Sequence, residues 1–214
     1  DIGTGANLIY PIIGSYEYKW QFVGSDIEAV SLSCAEQLVK ANPRLKKQIK
    51  LRAQEKIEHI FKGVINTEDR FAFTMCNPPF HASKEEAEAG SRRKNHNLSK
   101  DKKNGQQNRS KHGHQQPQLN FGGQSNELWC DGGEREFVCK MVQESSLFAN
   151  QVIWFTSLIS NQKNIKAIEQ ELSTHPVQQV KIIEMGQGNK QSRFIAWSYF
   201  STSEINLIKQ EWFS

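Results

Sequence analysis

Long apolar runs, paired cysteines and a recognisable leader are all missing from this sequence. No uninterrupted stretch of about 18 apolar residues occurs, so the sequence predicts no membrane-spanning helix. No basic-then-apolar leader opens the chain, so we expect no secretion. The four cysteines form no CxxC pair, which is typical of a reduced protein with incidental thiols. With 214 residues, of which 37% are hydrophobic, the composition favours a cytoplasmic, folded domain.

Positive charge is concentrated in one segment. Between residues 92 and 114 there are eight Lys or Arg and one acid, so the rest of the chain is net acidic although the whole carries +4. This pattern favours contact with a polyanion, and a solvated loop without a partner is the alternative. Residues 83–118 nearly lack apolar side chains, so we expect a disordered insert. His112 and His114 have no Cys or acid cluster beside them, so we expect a basic loop and no metal site.

Helical and strand patterns alternate along the chain. The alternation predicts an α/β, Rossmann-like fold with a mostly parallel sheet and an antiparallel final strand. We predict one domain over residues 1–214. Because a glycine-rich turn follows the first two residues at once, we expect the chain to be a fragment that lacks an upstream segment. The predicted helices are 7–17, 27–41, 57–65, 134–148 and 164–172, and the predicted strands are 20–26, 49–52, 71–76, 152–156, 180–185 and 194–200.

The opening turn has the pattern DxGxG, formed by Asp1, Gly3, Thr4 and Gly5. Glycines let the backbone approach a ligand at the carboxyl end of a strand. Asp26 ends the next predicted strand, where an acid can accept hydrogen bonds from ribose hydroxyls. The third glycine of the dinucleotide fingerprint is absent, and the Asp1 carboxylate suits a cationic amino group. The pattern therefore favours a nucleoside cofactor with a sulfonium group, S-adenosylmethionine, although a purely structural turn also explains DxGxG alone.

The tetrapeptide Asn77-Pro78-Pro79-Phe80 follows the predicted strand 71–76. An exocyclic adenine amine is a poor nucleophile because its lone pair is delocalised into the ring. The Asn77 side-chain carbonyl and the Pro78 backbone carbonyl can accept its two hydrogens, and the prolines hold these acceptors in place. Phe80 offers a face for a flipped or unpaired base. The pattern indicates amine methylation, and the alternative is a Pro-Pro turn with no chemistry.

Together these motifs resemble the family of 23S ribosomal RNA adenine-N6 methyltransferase F. The resemblance rests on DIGTGA, SDIE, MCNPPF, LNFGGQSNELWCDGGEREFVCKM, IWFTSLIS and MGQGNKQSRFIAWSYF, and it covers nearly the whole chain except the polar insert. It implies a class I S-adenosylmethionine-dependent methyltransferase fold and one adenosine of 23S rRNA, or of a large-subunit precursor, as acceptor. It also implies roles in cofactor binding for Gly3, Gly5 and Asp26, and in catalysis for residues 77–80.

Three further residues are candidates for substrate binding. Glu134 follows a Gly-Gly turn, where it either faces substrate or stabilises a helix N-terminus. Lys190 and Arg193 lie between the last two predicted strands, where they either hold RNA phosphate or belong to a solvated hairpin tip. We interpret Trp197 as a core residue. We expect no membrane or metal partner.

The predicted function is N6-methylation of an adenosine in ribosomal RNA. The alternatives are a DNA adenine or protein glutamine methyltransferase and a non-catalytic RNA-binding or assembly module. Intact DxGxG and NPPF motifs argue against the module, because a protein without turnover has no use for Asn77.

Overall fold

A computed structural model describes residues 1–83, 85, 129–187 and 190–213 of the chain, with the backbone alone at 187, 190 and 191. In this part, strands and helices alternate as the sequence predicts. The strands are β1 (Phe22–Asp26), β2 (Ile49–Ala53), β3 (Phe71–Phe73), β4 (Val152–Ile159), β5 (Gln179–Gln187) and β6 (Lys190–Ser198). The helices are α1 (Ile9–Glu17), α2 (Ala29–Ala41), α3 (Pro43–Gln48), α4 (Gly133–Ser145), α5 (Ile165–Ser173) and α6 (Thr202–Phe213).

The strands form two hydrogen-bonded groups that Ile2 joins. β1 pairs in parallel with β2, and the second group has the order β3-β4-β6-β5. Ile2 makes parallel bridges to Ser25 at the end of β1 and to Cys76 beyond β3. β3 and β4 are parallel, whereas β6 is antiparallel to both β4 and β5. The prediction of a mostly parallel sheet with an antiparallel final strand is therefore confirmed.

The core lies mainly between this sheet and the helices α4 and α5. Trp197 is fully buried, stacks on Phe155 with ring centroids 5.7 Å apart, and donates from Nε1 to Ser145 Oγ at 2.9 Å. Its interpretation as a core residue is confirmed. A smaller cluster packs beneath α1 and α2 and contains Leu8, Phe22, Ala35, Val39, Leu45 and Ile49.

The predicted helix at residues 57–65 is wrong, because this segment forms turns. The Glu144 carboxylate on α4 accepts hydrogen bonds from the backbone N–H groups of Ile60, Phe61 and Lys62, at 2.8, 3.1 and 2.5 Å. Gln54 also donates to the carbonyl of Lys62 at 3.0 Å. Because these backbone groups are bound by distant side chains, they are not available for helical hydrogen bonds.

Two helices were not predicted. Pro43 follows the end of α2 and also lies in the first turn of α3. At that position a backbone N–H would have no helical hydrogen-bond partner, so proline loses nothing by lacking one. α6 begins with a capping box: Ser201 N donates to Glu204 Oε2 at 2.7 Å, and Glu204 N donates to Ser201 Oγ at 3.4 Å. That Ser-x-x-Glu pattern is readable in the sequence.

Several predictions fall outside the described residues. These are most of the insert 83–118, its basic segment and the histidine pair His112 and His114. In the part that the structure describes, no helix is long and apolar enough to cross a membrane. Within the same residues, no group of three or more His, Cys, Asp or Glu is placed to hold a metal ion.

Candidate active site

Three sequence motifs lie side by side at the carboxyl edge of the sheet. Ile2 is hydrogen-bonded between the ends of two other strands, with Ser25 on one side and Cys76 on the other. Asp26 and Asn77 directly follow those two residues, and the glycine-rich turn directly follows Ile2. Because neighbouring strands are roughly 4.8 Å apart, the three motifs leave the sheet within about 10 Å of one another.

The glycine-rich turn has an unusual backbone conformation. Gly3 and Gly5 have φ angles of 68° and 63°, a region that side chains with a Cβ rarely adopt. Thr4 is buried, and its hydroxyl donates to Asp1 Oδ2 at 2.8 Å. The other carboxylate oxygen, Asp1 Oδ1, is buried and has no hydrogen-bond partner in the described part of the chain. A buried acceptor without a partner is costly, so this position fits a ligand that donates hydrogen bonds.

Asp26 holds the turn from the adjacent strand. Its Oδ2 accepts from Gly5 N and its Oδ1 accepts from Glu28 N, both at 2.9 Å. The side chain is 5% exposed. Each carboxylate oxygen has a second lone pair, so it can still accept from a ligand hydroxyl. Asp26 thus both shapes the turn and offers acceptors beside it.

The NPPF motif follows β3 along the chain and lies beyond the carboxyl edge of the sheet. Leu158 N donates to Cys76 O at 2.9 Å, which fixes the backbone immediately before Asn77. Asn77 is exposed and Pro78 is buried. Neither the Asn77 amide nor the Pro78 carbonyl has a hydrogen-bond partner among the described residues. Phe80 is 39% exposed. The motif therefore exposes the Asn77 amide and the Phe80 ring to solvent, and the buried Pro78 carries a carbonyl without a partner among the described residues.

Cys76 directly precedes the motif, but it is not a nucleophile. Burial raises the pKa of its thiol to about 12, so the thiol is neutral at physiological pH. Its role is to pack in the core beneath the motif.

The backbone after Phe80 packs tightly against the start of α4. Cys130 N donates to His81 O at 3.1 Å. Gly133 has φ 65°, and a Cβ at that position would lie 3.2 Å from Ala82 N. The Gly-Gly turn therefore supports the NPPF motif from one side. The sequence suggested a turn there, but it gave no sign of this contact.

Glu134 is buried and its carboxylate is already engaged. Oε1 accepts from Ser160 N at 2.6 Å and from Ser160 Oγ at 2.5 Å. Oε2 accepts from Asn161 N at 3.1 Å and from Asn164 Nδ2 at 2.7 Å. The side chain therefore holds the loop that follows β4, at the same edge of the sheet as Asn77. Glu134 therefore lies close to the candidate active site, but its side chain is buried and not exposed in that site.

Arg193 lies at the same edge, on the far side of β4. Arg193 on β6 pairs with Ile159 on β4. Ile159 directly follows Leu158, whose backbone N–H donates to Cys76 O. Arg193 is 4% exposed, and its Nε has no hydrogen-bond partner in the described part of the chain. It is not a residue of a solvated hairpin tip. Lys190 is the first residue of β6, and only its backbone is described.

Asn161 and Asn164 were missed in the sequence. Both follow β4 at the carboxyl edge, where ligands bind in open α/β sheets. The polar run Ser-Asn-Gln after a buried strand is the signal that points to them.

The order of the strands and the glycine-rich turn at the carboxyl edge define a class I, Rossmann-like methyltransferase fold. The model of a family described as RNA methyltransferase matches residues 1–201, and the chain belongs to that family.

Curated relatives agree with this assignment. The chain is 49% identical, over 99% of its length, to the ribosomal RNA large subunit methyltransferase F of Pseudoalteromonas translucida (strain TAC 125), and covers 63% of that protein. The protein of the same name from Pseudomonas entomophila (strain L48) is 50% identical over 93% of the chain, which covers 60% of it. The chain thus spans about six tenths of the length of these relatives. The resemblance stated from the motifs is confirmed.

Solved structures show the same fold. The human METTL16 catalytic domain in complex with an RNA hairpin, MAT2A 3'UTR hairpin 1, is 25% identical with a TM-score of 0.72. The match covers 94% of this chain and 63% of that one. The N-terminal domain of human METTL16 in complex with SAH has a TM-score of 0.66 at 22% identity, over 94% of this chain and 60% of that one, and supports the fold alone.

Proposed function

We propose that this chain is the catalytic part of an enzyme that transfers a methyl group from S-adenosylmethionine to N6 of one adenosine in 23S ribosomal RNA. The observation that carries the proposal is the pairing of Ile2 with both Ser25 and Cys76, which places the glycine-rich turn next to the NPPF motif. The names of the curated relatives support ribosomal RNA as the acceptor. A role in ribosome biogenesis and a location in the cytoplasm belong to the same proposal.

Residues of the glycine-rich turn would hold the cofactor. The unpartnered Asp1 Oδ1 fits the cationic amino group of the methionine moiety. Gly3, Thr4 and Gly5 let the ligand lie close to the backbone, and Asp26 would accept from the ribose hydroxyls. When bound, S-adenosylmethionine supplies an electrophilic methyl group.

The NPPF motif would orient the adenine amine. Asn77 Oδ1 and the Pro78 carbonyl accept the two N6 hydrogens, which directs the nitrogen lone pair out of the ring plane. Pro79 limits the backbone freedom of these acceptors, and Phe80 stacks on the base. Because the prolines and the Leu158–Cys76 hydrogen bond restrict the backbone that carries both acceptors, catalysis comes mainly from orientation and electrostatics. No strongly basic residue is needed.

Arg193 would contact an RNA phosphate beside the target, with Lys190 nearby. The buried Arg193 Nε has no hydrogen-bond partner in the described part of the chain, which is costly, and an anionic ligand would offset that cost. Glu134 has a positioning role in this scheme, because its four hydrogen bonds hold the loop after β4.

The test compares three kinds of acceptor with the full-length protein and S-adenosylmethionine carrying a labelled methyl group. The acceptors are unmodified 23S rRNA, duplex DNA containing adenine, and a glutamine-containing peptide. We expect label in RNA only, as N6-methyladenosine, and loss of transfer in Asn77→Ala with cofactor binding retained. Label in DNA or peptide, but not in RNA, would contradict the choice of acceptor.

Cofactor binding without transfer to any of the three acceptors would contradict the proposal of an active enzyme. It would favour a non-catalytic RNA-binding or assembly module.

A further inference from the structure

A small cavity of about 240 Å³ lies beside the NPPF motif. This volume is below the roughly 300–1,000 Å³ of pockets that enclose a drug-sized ligand, so the cavity suits a single flat group. Phe80 lines it, whereas Asn77 and the glycine-rich turn do not. The cavity therefore begins where the proposed acceptor site ends. Its lining residues are Phe80, Ala82, Gly132, Gly133, Glu134, Arg135, Asn161 and Asn164.

Two asparagine amides in this cavity have fixed orientations. Asn164 Nδ2 donates to the Glu134 carboxylate at 2.7 Å, and Asn161 Oδ1 accepts from Lys163 N at 3.1 Å. A carboxylate only accepts and a backbone N–H only donates, so flipping either amide would lose its hydrogen bond. Asn161 Nδ2 and Asn164 Oδ1 are left without hydrogen-bond partners in the part of the chain that the structure describes. The cavity thus presents one oriented donor, on the exposed Asn161, and one oriented acceptor, on the half-buried Asn164.

A donor and an acceptor beside an aromatic ring match the hydrogen-bonding edge of an unpaired base. Proteins recognise single-stranded RNA by stacking bases on aromatic rings and hydrogen-bonding their edges. A phosphate would need donors only, and the buried Glu134 carboxylate next to the cavity would repel it. Arg135 is exposed at the rim, where it can contact the RNA backbone outside the cavity.

We infer that this cavity binds the nucleobase next to the target adenosine, with Asn161 and Asn164 as specificity-determining residues. Glu134 is a positioning residue that orients Asn164. The inference rests on the proposed function. It adds a sequence preference beside the target, which Asn77 and Pro78 do not supply, because they contact the target base only.

Asn161→Asp tests the inference with little change in structure. The aspartate keeps an oxygen to accept from Lys163 N, but it replaces the free donor with an acceptor. The full-length protein would methylate 23S rRNA fragments in which the bases on either side of the methylated adenosine are varied. We expect the wild type to prefer one base on one side, and this preference, measured as a ratio of kcat/KM, to fall about three- to tenfold in Asn161→Asp.

Two further variants serve as controls. Asn161→Ser also keeps an oxygen for the Lys163 N–H and should reduce the preference as Asn161→Asp does. Lys163→Ala removes a nearby charge and should leave the base preference unchanged. Wild-type preference ratios in both Asn161 variants, or no preference at either flank in the wild type, would overturn the inference. An absence of methyl transfer to RNA by the wild type would instead refute the proposed function on which it rests.

Discussion

Replacing Gly133 with alanine would place a methyl group against the backbone that follows the NPPF motif. The added Cβ would lie 3.2 Å from Ala82 N and 3.3 Å from both Ala82 Cα and His81 C. These are backbone atoms, so no side-chain rotation relieves the contact. The left-handed φ of 65° costs a residue with a Cβ a further 1–2 kcal/mol or so. Together we expect a loss of about 2–3 kcal/mol in the free energy of unfolding.

Two other glycines separate the effects of conformation and contact. Gly3 has φ 68° with nothing within 4 Å of an added Cβ, so Gly3→Ala should lose only about 1–2 kcal/mol. Gly186 also has open space and no left-handed φ, so Gly186→Ala should be nearly neutral. Urea unfolding of the full-length variants, followed by circular dichroism, measures all three. A Gly133→Ala protein as stable as Gly186→Ala would refute the reasoning.

Three further predictions concern residues outside the proposed site. Glu144→Gln should lower the free energy of unfolding by about 2–3 kcal/mol in urea denaturation, because the amide nitrogen replaces one acceptor oxygen, which leaves at least one of the three backbone N–H groups facing a donor, and the remaining oxygen is uncharged. The hydrogen bond from Arg52 holds the pKa of Asp69 below its ordinary value, so its stabilisation is present above the unfolded-state pKa and lost as the pH falls below about 4. In thermal unfolding, Asp69→Asn should therefore lose less stability between neutral and acidic pH than the wild type. Mass spectrometry after brief treatment with iodoacetamide should find the exposed Cys34 alkylated and Cys76 unmodified; early modification of Cys76 would contradict its burial and its pKa of about 12.

The positions of the glycine-rich turn and the NPPF motif could be predicted because both depend on local patterns. The acid Asp26 and the Asn-Pro-Pro at residues 77–79 each follow a short apolar run, and the glycine-rich turn has a recognisable pattern of its own. The carboxyl ends of parallel strands lie at one edge of a sheet, so motifs in these positions must lie near one another. The pairing of Ile2 with Ser25 and Cys76 shows that arrangement directly.

The remaining features depend on contacts between residues far apart in the chain. The segment 57–65 has an apolar pattern that favours a helix, yet a carboxylate more than 80 residues away binds its backbone. Glu134 likewise has its partners 26 to 30 residues later, so the sequence, which offered substrate binding or stabilisation of a helix N-terminus, did not indicate that Glu134 holds the loop after β4. The role of Arg193 was ambiguous in the sequence, because its predicted position between two strands does not reveal whether its side chain is buried. α6, by contrast, had an unused local signal, the capping box from Ser201 to Glu204.

The most direct test of the proposed activity is made in cells. The gene would be deleted, and the strain would be complemented with the full-length wild type or with Asn77→Ala at equal protein level. Nucleosides from its 23S rRNA would then be analysed by mass spectrometry. We predict that one N6-methyladenosine is lost on deletion, returns with the wild type and does not return with Asn77→Ala. An unchanged N6-methyladenosine content after deletion, or full restoration by Asn77→Ala, would contradict the account.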